Sequence, residues 1–231
     1  MGNFGWLRMK RTKYILQAKN VVKKFGDKTI VDGISLDLKH GEYVSIRGRS
    51  GSGKSTLLKT LCGLFLADGG EIFVDGYDVI NIDGEQKSKF RSQVIGIVFQ
   101  ENNLLPDFNV RDNILTPVFV ARKKVDKEYY NKLLDMVGLT EHEYKMPHQL
   151  SGGMQQRCAI ARALIAKPKI IFADEPTGSL DSKTEAEIIK LFKQVNSELK
   201  TTILQVTHSK ACVSASTRVI KINDGRIVSE E

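Results

Sequence analysis

Gly48-Arg49-Ser50-Gly51-Ser52-Gly53-Lys54-Ser55 is the stretch on which the reading of this chain turns. The octapeptide fits G-x-x-x-x-G-K-[ST]. Before it, Glu42 to Arg47 reads as a strand; after it, Lys54 to Leu64 reads as a helix with Leu57, Leu58 and Leu61 on one face. In that setting the glycines let the backbone curl until successive N–H groups converge on phosphate oxygens, and the helix adds its positive end. Lys54 is placed to bridge β- and γ-phosphates, and the Ser55 hydroxyl, followed by Thr56, to ligate Mg²⁺. A dinucleotide reading is weaker, because G-x-G-x-x-G does not occur there.

Such a loop needs an acid at a neighbouring strand end, and Ile170-Ile171-Phe172-Ala173-Asp174-Glu175 supplies two. Four apolar residues read as a strand buried on both faces, with the carboxylates at its carboxyl end, where doubly wound sheets bind their ligands. Asp174 is the candidate for the Mg²⁺ shell. Glu175, pointing the opposite way, is the candidate general base for the attacking water.

Outward from these motifs, short apolar strands at Ile95 to Phe99, Ile170 to Ala173 and Thr202 to Val206 alternate with helical patterns at Gly153 to Ile165 and Lys183 to Leu199. That order predicts an α/β fold with a mainly parallel sheet. From Tyr14 to Leu38 the period is two instead, which predicts an antiparallel β subdomain at the start. No strand pattern interrupts Leu104 to Ile165, so a helical insertion is expected over about residues 101–166 of a domain spanning 14–231.

The 231 residues carry 35 Lys and Arg against 27 Asp and Glu, a net charge of +8. That sum points to nucleic acid or an anionic membrane surface. Its location changes the reading. Arg8, Lys10, Arg11, Lys13, Lys19, Lys23 and Lys24 stand in the first 24 residues with no acid, so seven of the eight net charges lie there. Residues 1–13 read as a basic flexible extension suited to anionic lipid, at about 1 kcal/mol per basic side chain near the surface. No stretch is apolar enough to span a bilayer. Cys62, Cys158 and Cys212 sit among apolar neighbours and read as small core residues in a reducing compartment.

Leu150-Ser151-Gly152-Gly153-Met154-Gln155-Gln156-Arg157 resembles the signature motif of ATP-binding cassette (ABC) ATPases, and it stands between phosphate loop and Asp-Glu strand as in that family. Gln100 is similar to the Q-loop glutamine, which contacts Mg²⁺ and the attacking water. Asp181 in Ser179-Leu180-Asp181 resembles the D-loop acid, His208 the switch histidine that meets the γ-phosphate, and Phe25 the aromatic that stacks on adenine. The resemblance implies an ABC-type P-loop NTPase that hydrolyses ATP with Mg²⁺ and pairs as a homodimer, or with another such ATPase. It implies that Ser151, Gly152, Gly153, Gln155 and Asp181 serve the partner's nucleotide, while Lys54, Glu175 and His208 act catalytically on the chain's own.

Phe99 to Pro106 and the paired glutamines look most like the lipoprotein-release, macrolide-export and antimicrobial-peptide export or resistance group. This implies separate permease subunits and a peripheral position on the cytoplasmic face, with a peptide, lipoprotein or drug-like substrate and no specific nucleic acid. Cys158, where relatives commonly carry Val, and Lys145-Met146-Pro147-His148 depart from the pattern. The alternatives are a soluble ABC ATPase on nucleic acid or ribosomes, whose relatives usually carry two cassettes in one chain or a long coiled-coil insertion, and an ATP-gated regulatory clamp on a membrane partner.

Overall fold

A computed structural model describes residues 13–231; the basic extension, apart from Lys13, lies outside the described residues. Strands β1 (Tyr14–Phe25) and β2 (Lys28–Lys39) form an antiparallel hairpin that closes on the pair Phe25 and Lys28. Gly26 takes φ 57 in the two-residue turn, a conformation glycine adopts without a Cβ penalty. Strand β3 (Tyr43–Arg47) runs into the glycine-rich loop and helix α1 (Lys54–Leu61) leaves it. Strands β4 (Gly69–Val74) and β5 (Tyr77–Asp78) complete a four-stranded antiparallel sheet of order β2-β1-β4-β5.

Helix α2 (Gly84–Lys89) continues through a π-helical turn, Phe90–Val94, into β6 (Ile95–Val98). There follow α3 (Val110–Val120), α4 (Lys127–Met136) and α5 (Gly152–Leu164), with no strand among them. Strand β7 (Ile170–Asp174), α6 (Ser182–Leu199), β8 (Thr202–Val206), α7 (Lys210–Ala215) and the hairpin β9 (Arg218–Asn223) and β10 (Arg226–Glu230) end the chain. The central sheet has order β10-β9-β3-β8-β7-β6 and is parallel except for β10. The α/β fold class predicted from the sequence is the one observed.

Period two along the central strands assigns each side chain to a face. Ile170 and Phe172 pack on α1 and the antiparallel sheet, in one core with Leu57, Leu58, Leu61, Leu16 and Leu38. Ile171 and Ala173 pack on the opposite face with α3 to α6, in a core with Ile114, Leu133, Ile160 and Phe192. Phe172 is fully buried, and truncating such a side chain to Ala costs about 3–5 kcal/mol. The same alternation turns Asp174 toward the glycine-rich loop.

Strands β4, β9 and β10 add to the elements that hydrophobic period alone outlines. Strand β4 opens on Gly69-Gly70, whose close approach hides its pattern: a Cβ on Gly70 would stand 2.5 Å from the carbonyls of Lys19 and Asn20. Strands β9 and β10 lie at one side of the central sheet, β10 at its edge, and exposure alternates along both. Among the described residues no helix is long and apolar enough to cross a membrane.

Candidate active site

The loop between β3 and α1 is held by backbone. A Cβ on Gly48 would come within 2.2 Å of the Ile222 carbonyl oxygen, and one on Gly53, at φ 93, within 2.5 Å of that of Ile30. Gly225 N–H donates to the Ser52 carbonyl at 3.1 Å, so the β9–β10 turn braces the loop from behind. Lys54 is buried, and its ammonium donates to the Arg49 carbonyl at 2.8 Å. Burial pulls this lysine below its ordinary pKa, while the carboxylates of Glu175 and Asp174 pull the other way. The Ser52 hydroxyl is buried and has no hydrogen-bond partner among the described residues. A buried polar atom of that kind, in a glycine cradle that a Cβ would fill, fits a phosphate group.

Asp174 closes on this loop from β7. Its Oδ1 accepts from the Ser55 hydroxyl at 2.6 Å, and Lys59 Nζ lies 3.3 Å from Oδ2. Lys59 stands one turn beyond Ser55 on α1, a spacing that puts both on one side of the helix. Thr56, beside Ser55, gives its carbonyl to the Thr60 hydroxyl at 2.8 Å and so stays within the first turns of α1.

Glu175 leaves the strand at φ 48, and its N–H donates to the Val206 carbonyl at 2.9 Å. That left-handed residue swings the carboxylate toward the end of β8, where Oε1 lies 3.1 Å from His208 Nε2. Gln100, exposed beyond β6, joins the same corner: a Cβ on Gly178 would lie 3.1 Å from Gln100 Nε2 and 3.4 Å from Glu175 Oε2. Glutamine, glutamate and histidine from three strand ends thus meet next to the loop that holds Lys54. Gly178 keeps the space open; sequence motif reading does not single it out.

Phe25 is half exposed at the β1–β2 turn, set edge-on to Phe65 at 5.5 Å between centroids, with Lys23 Nζ 5.3 Å from its ring. Its open ring is available for stacking. Phe65, which the sequence motifs do not mark, holds it in orientation.

Ser151 caps α5 by accepting from the Met154 N–H at 3.3 Å and is exposed together with Gly152. A Cβ on Gly153 would meet the Thr184 methyl at 2.3 Å, next to Asp181. Asp181 in turn caps α6, accepting from the Lys183 and Thr184 amides and the Thr184 hydroxyl, which hold its carboxyl below the ordinary range. Gln155 turns inward: its amide donates to the Pro147 and Leu150 carbonyls and accepts from Asn102.

A glycine-rich phosphate loop on one face of a parallel sheet, with an Asp-Glu strand end and a histidine converging on it, defines a phosphate-loop ATPase. The chain belongs to the ABC transporter family, whose sequence profile matches residues 31–178. It is 39% identical over 222 residues to the bacitracin export ATP-binding protein BceA of Halalkalibacterium halodurans, covering 94% of this chain and 88% of that one. It is also 39% identical over 219 residues to the lipoprotein-releasing system ATP-binding protein LolD of Porphyromonas gingivalis, covering 94% of this chain and all of LolD. A solved dimer of an ATP-binding cassette in a post-hydrolysis state, bound to ADP and Pi, superposes with a TM-score of 0.84 at 38% identity, covering 94% of this chain and 97% of that one. The chain is accordingly an ABC ATPase.

Proposed function

We propose that two copies of this chain, or one copy and a related ATPase, close head to tail over two ATP molecules and drive export through integral-membrane permease subunits. The substrate class is a peptide, lipoprotein or drug-like molecule. The observation that carries this reading is the meeting of Glu175, His208 and Gln100 beside the Ser55–Asp174 pair, hydrolytic groups next to a phosphate cradle. The solved cassette dimer with ADP and Pi supports the pairing, and the names of BceA and LolD support export or release.

In this reading Gly48 to Thr56 bind the phosphates and Phe25 stacks on adenine. Among the described residues no group of three or more His, Cys, Asp or Glu side chains forms a metal cage. Mg²⁺ fits such a site, because it is commonly held by one or two carboxylates with phosphate oxygens and water; Ser55 and Asp174 would hold it, with Gln100 at its edge. Mg²⁺ would offset charge on the β- and γ-phosphates. Glu175 takes the proton of the attacking water, and His208 holds Glu175 in place and faces the γ-phosphate.

Ser151, Gly152, Gly153 and Asp181 serve the nucleotide of the opposing subunit, with Gln155 supporting that segment from inside its own chain. Residues 14–231 form the nucleotide-binding domain and about 101–166 its helical subdomain, the part expected to meet the permease on the cytoplasmic side of the membrane. The test is the mass of the Glu175→Gln variant in solution with ATP and Mg²⁺. A dimer that disappears when ATP is withdrawn is expected. An ATP-loaded monomer at all protein concentrations would overturn the clamp, and purification with nucleic acid instead of a membrane subunit would overturn the transporter assignment.

A further inference from the structure

Helix α5 carries one side chain that reaches two parts of the hydrolytic corner at once. Gln156 is 1% exposed, and its Nε2 donates to the Pro176 carbonyl at 2.8 Å and to the Phe99 carbonyl at 3.3 Å. Phe99 is joined directly to Gln100, and Pro176 directly to Glu175. The Gln156 Oε1 is buried and has no partner among the described residues, so the amide makes its hydrogen bonds through its donors.

Other α5 side chains bind the segment after β6 as well. Arg162 donates to the Asn102 and Asn103 carbonyls at 2.8 and 2.7 Å, and Gln155 accepts from Asn102 at 3.3 Å. Those contacts tie the Gln100 segment to α5 alone. Among the described hydrogen bonds of α5, only that of Gln156 also reaches the segment from Glu175 to Gly178.

We propose that Gln156 is a positioning residue for hydrolysis: its single buried amide sets the spacing between Gln100 and Glu175 by holding the peptide carbonyl beside each. The inference rests on the reading of Glu175 as general base. Its physical basis is the short lever between a held carbonyl and the side chain of the adjoining residue. A shift of α5 at Gln156, five residues from Ser151 at the helix start, moves both groups together. If the amide is lost, the two segments are free to separate, and misplacement of a catalytic group by about 1 Å lowers turnover by about two orders of magnitude.

The experiment compares full-length wild type, Gln156→Met, Glu175→Gln and the double variant, measuring kcat, KM and equilibrium ATP binding for each. Met keeps the volume and removes both donors. Turnover of Gln156→Met is expected to fall at least about tenfold with ATP affinity within about twofold, since the phosphate loop is untouched. In the Glu175→Gln background the same change should alter residual turnover by less than about twofold, because the group being positioned is already gone. Gln156→Asn, which shortens the amide by one methylene, carries the same expectation if the Met variant is insoluble.

Wild-type kcat in a folded Gln156 variant, affinity falling in parallel with kcat, or multiplicative effects in the double variant would each overturn the positioning role. A Glu175→Gln protein that turns over like wild type would overturn the general-base reading itself, and that result is read independently of the Gln156 variants.

Discussion

Two glycine-containing helix starts stand in this chain, at Lys54 and at Ser151, and they are built differently. The Lys54 loop is enclosed: Ile222 and Ile30 carbonyls press on its glycines, Gly225 braces it, and Lys54 and Ser52 are buried within it. The Ser151 end of α5 is open, with Ser151 and Gly152 exposed and one serine cap bond closing the turn. The difference teaches which of the two is preorganised within the chain itself. The first has buried, preorganised donors in a cradle that fits a phosphate, whereas the second lies open to solvent, as the proposed head-to-tail closure over a second subunit's nucleotide requires.

Hydrolysis gives the sharpest separation of the two. Glu175→Gln should lower steady-state ATP turnover by about 10²–10⁴ while leaving the Lys54 cradle able to bind nucleotide. Equal turnover would show that the enclosed site works without this carboxylate. Ser151→Ala should leave ATP binding by the isolated chain unchanged and lower turnover about tenfold or more, in the range for losing one hydrogen bond to a charged group. If monomer affinity fell instead, the open site would be serving its own nucleotide and the comparison would fail.

Glycine substitutions test the enclosure by stability. Gly48→Ala drives a methyl against the Ile222 backbone, which has little room to move, and should destabilise the fold by about 1–3 kcal/mol in urea titration. Gly153→Ala meets the Thr184 side chain, which can rotate away, and should cost less than about 1 kcal/mol. A reversed order would mean that the open site is the more tightly built.

Alkaline pH reports on the cores that support each site. Burial pushes the thiols of Cys62, at the C-terminal end of α1, and Cys158, in α5, up to about 12 from the ordinary thiol value of 9.0. A pKa raised in the folded state means that stability is fully present below about pH 9 and is lost as pH climbs toward 12, because the unfolded thiol ionises first. Urea midpoints should therefore fall between pH 9 and 11, and Cys158→Val should make that fall shallower. The same burial leaves little thiolate at pH 8, so thiol reagents should label these two cysteines only on unfolding.

Much of the first site was legible because its chemistry is local. A glycine-rich loop between strand and helix needs its residues in an unbroken run, and the Asp-Glu pair announces itself by ending a wholly apolar strand. The helical stretch between β6 and β7 was legible from the lack of any two-residue period. Strand β4 was not, since its opening glycines pack through backbone and leave no pattern of side chains. Lys59, Phe65, Gly178 and Gln156 were not legible as site residues either. Each earns its place only by what it touches: Asp174, Phe25, the Gln100–Glu175 corner, and two carbonyls 77 residues apart in sequence.

The sequence by itself determined the α/β class, the glycine-rich loop between strand and helix and the apolar strand that ends in Asp174-Glu175, because glycine conformation, strand period and helix period act over a few neighbouring residues. Only the tertiary structure decided that Glu175 turns to His208, that Gln155 faces inward, and that Gln156 spans two strand ends. Those are outcomes of parallel pairing and of two cores packing on opposite faces of one sheet, which bring distant segments together at distances no local pattern encodes.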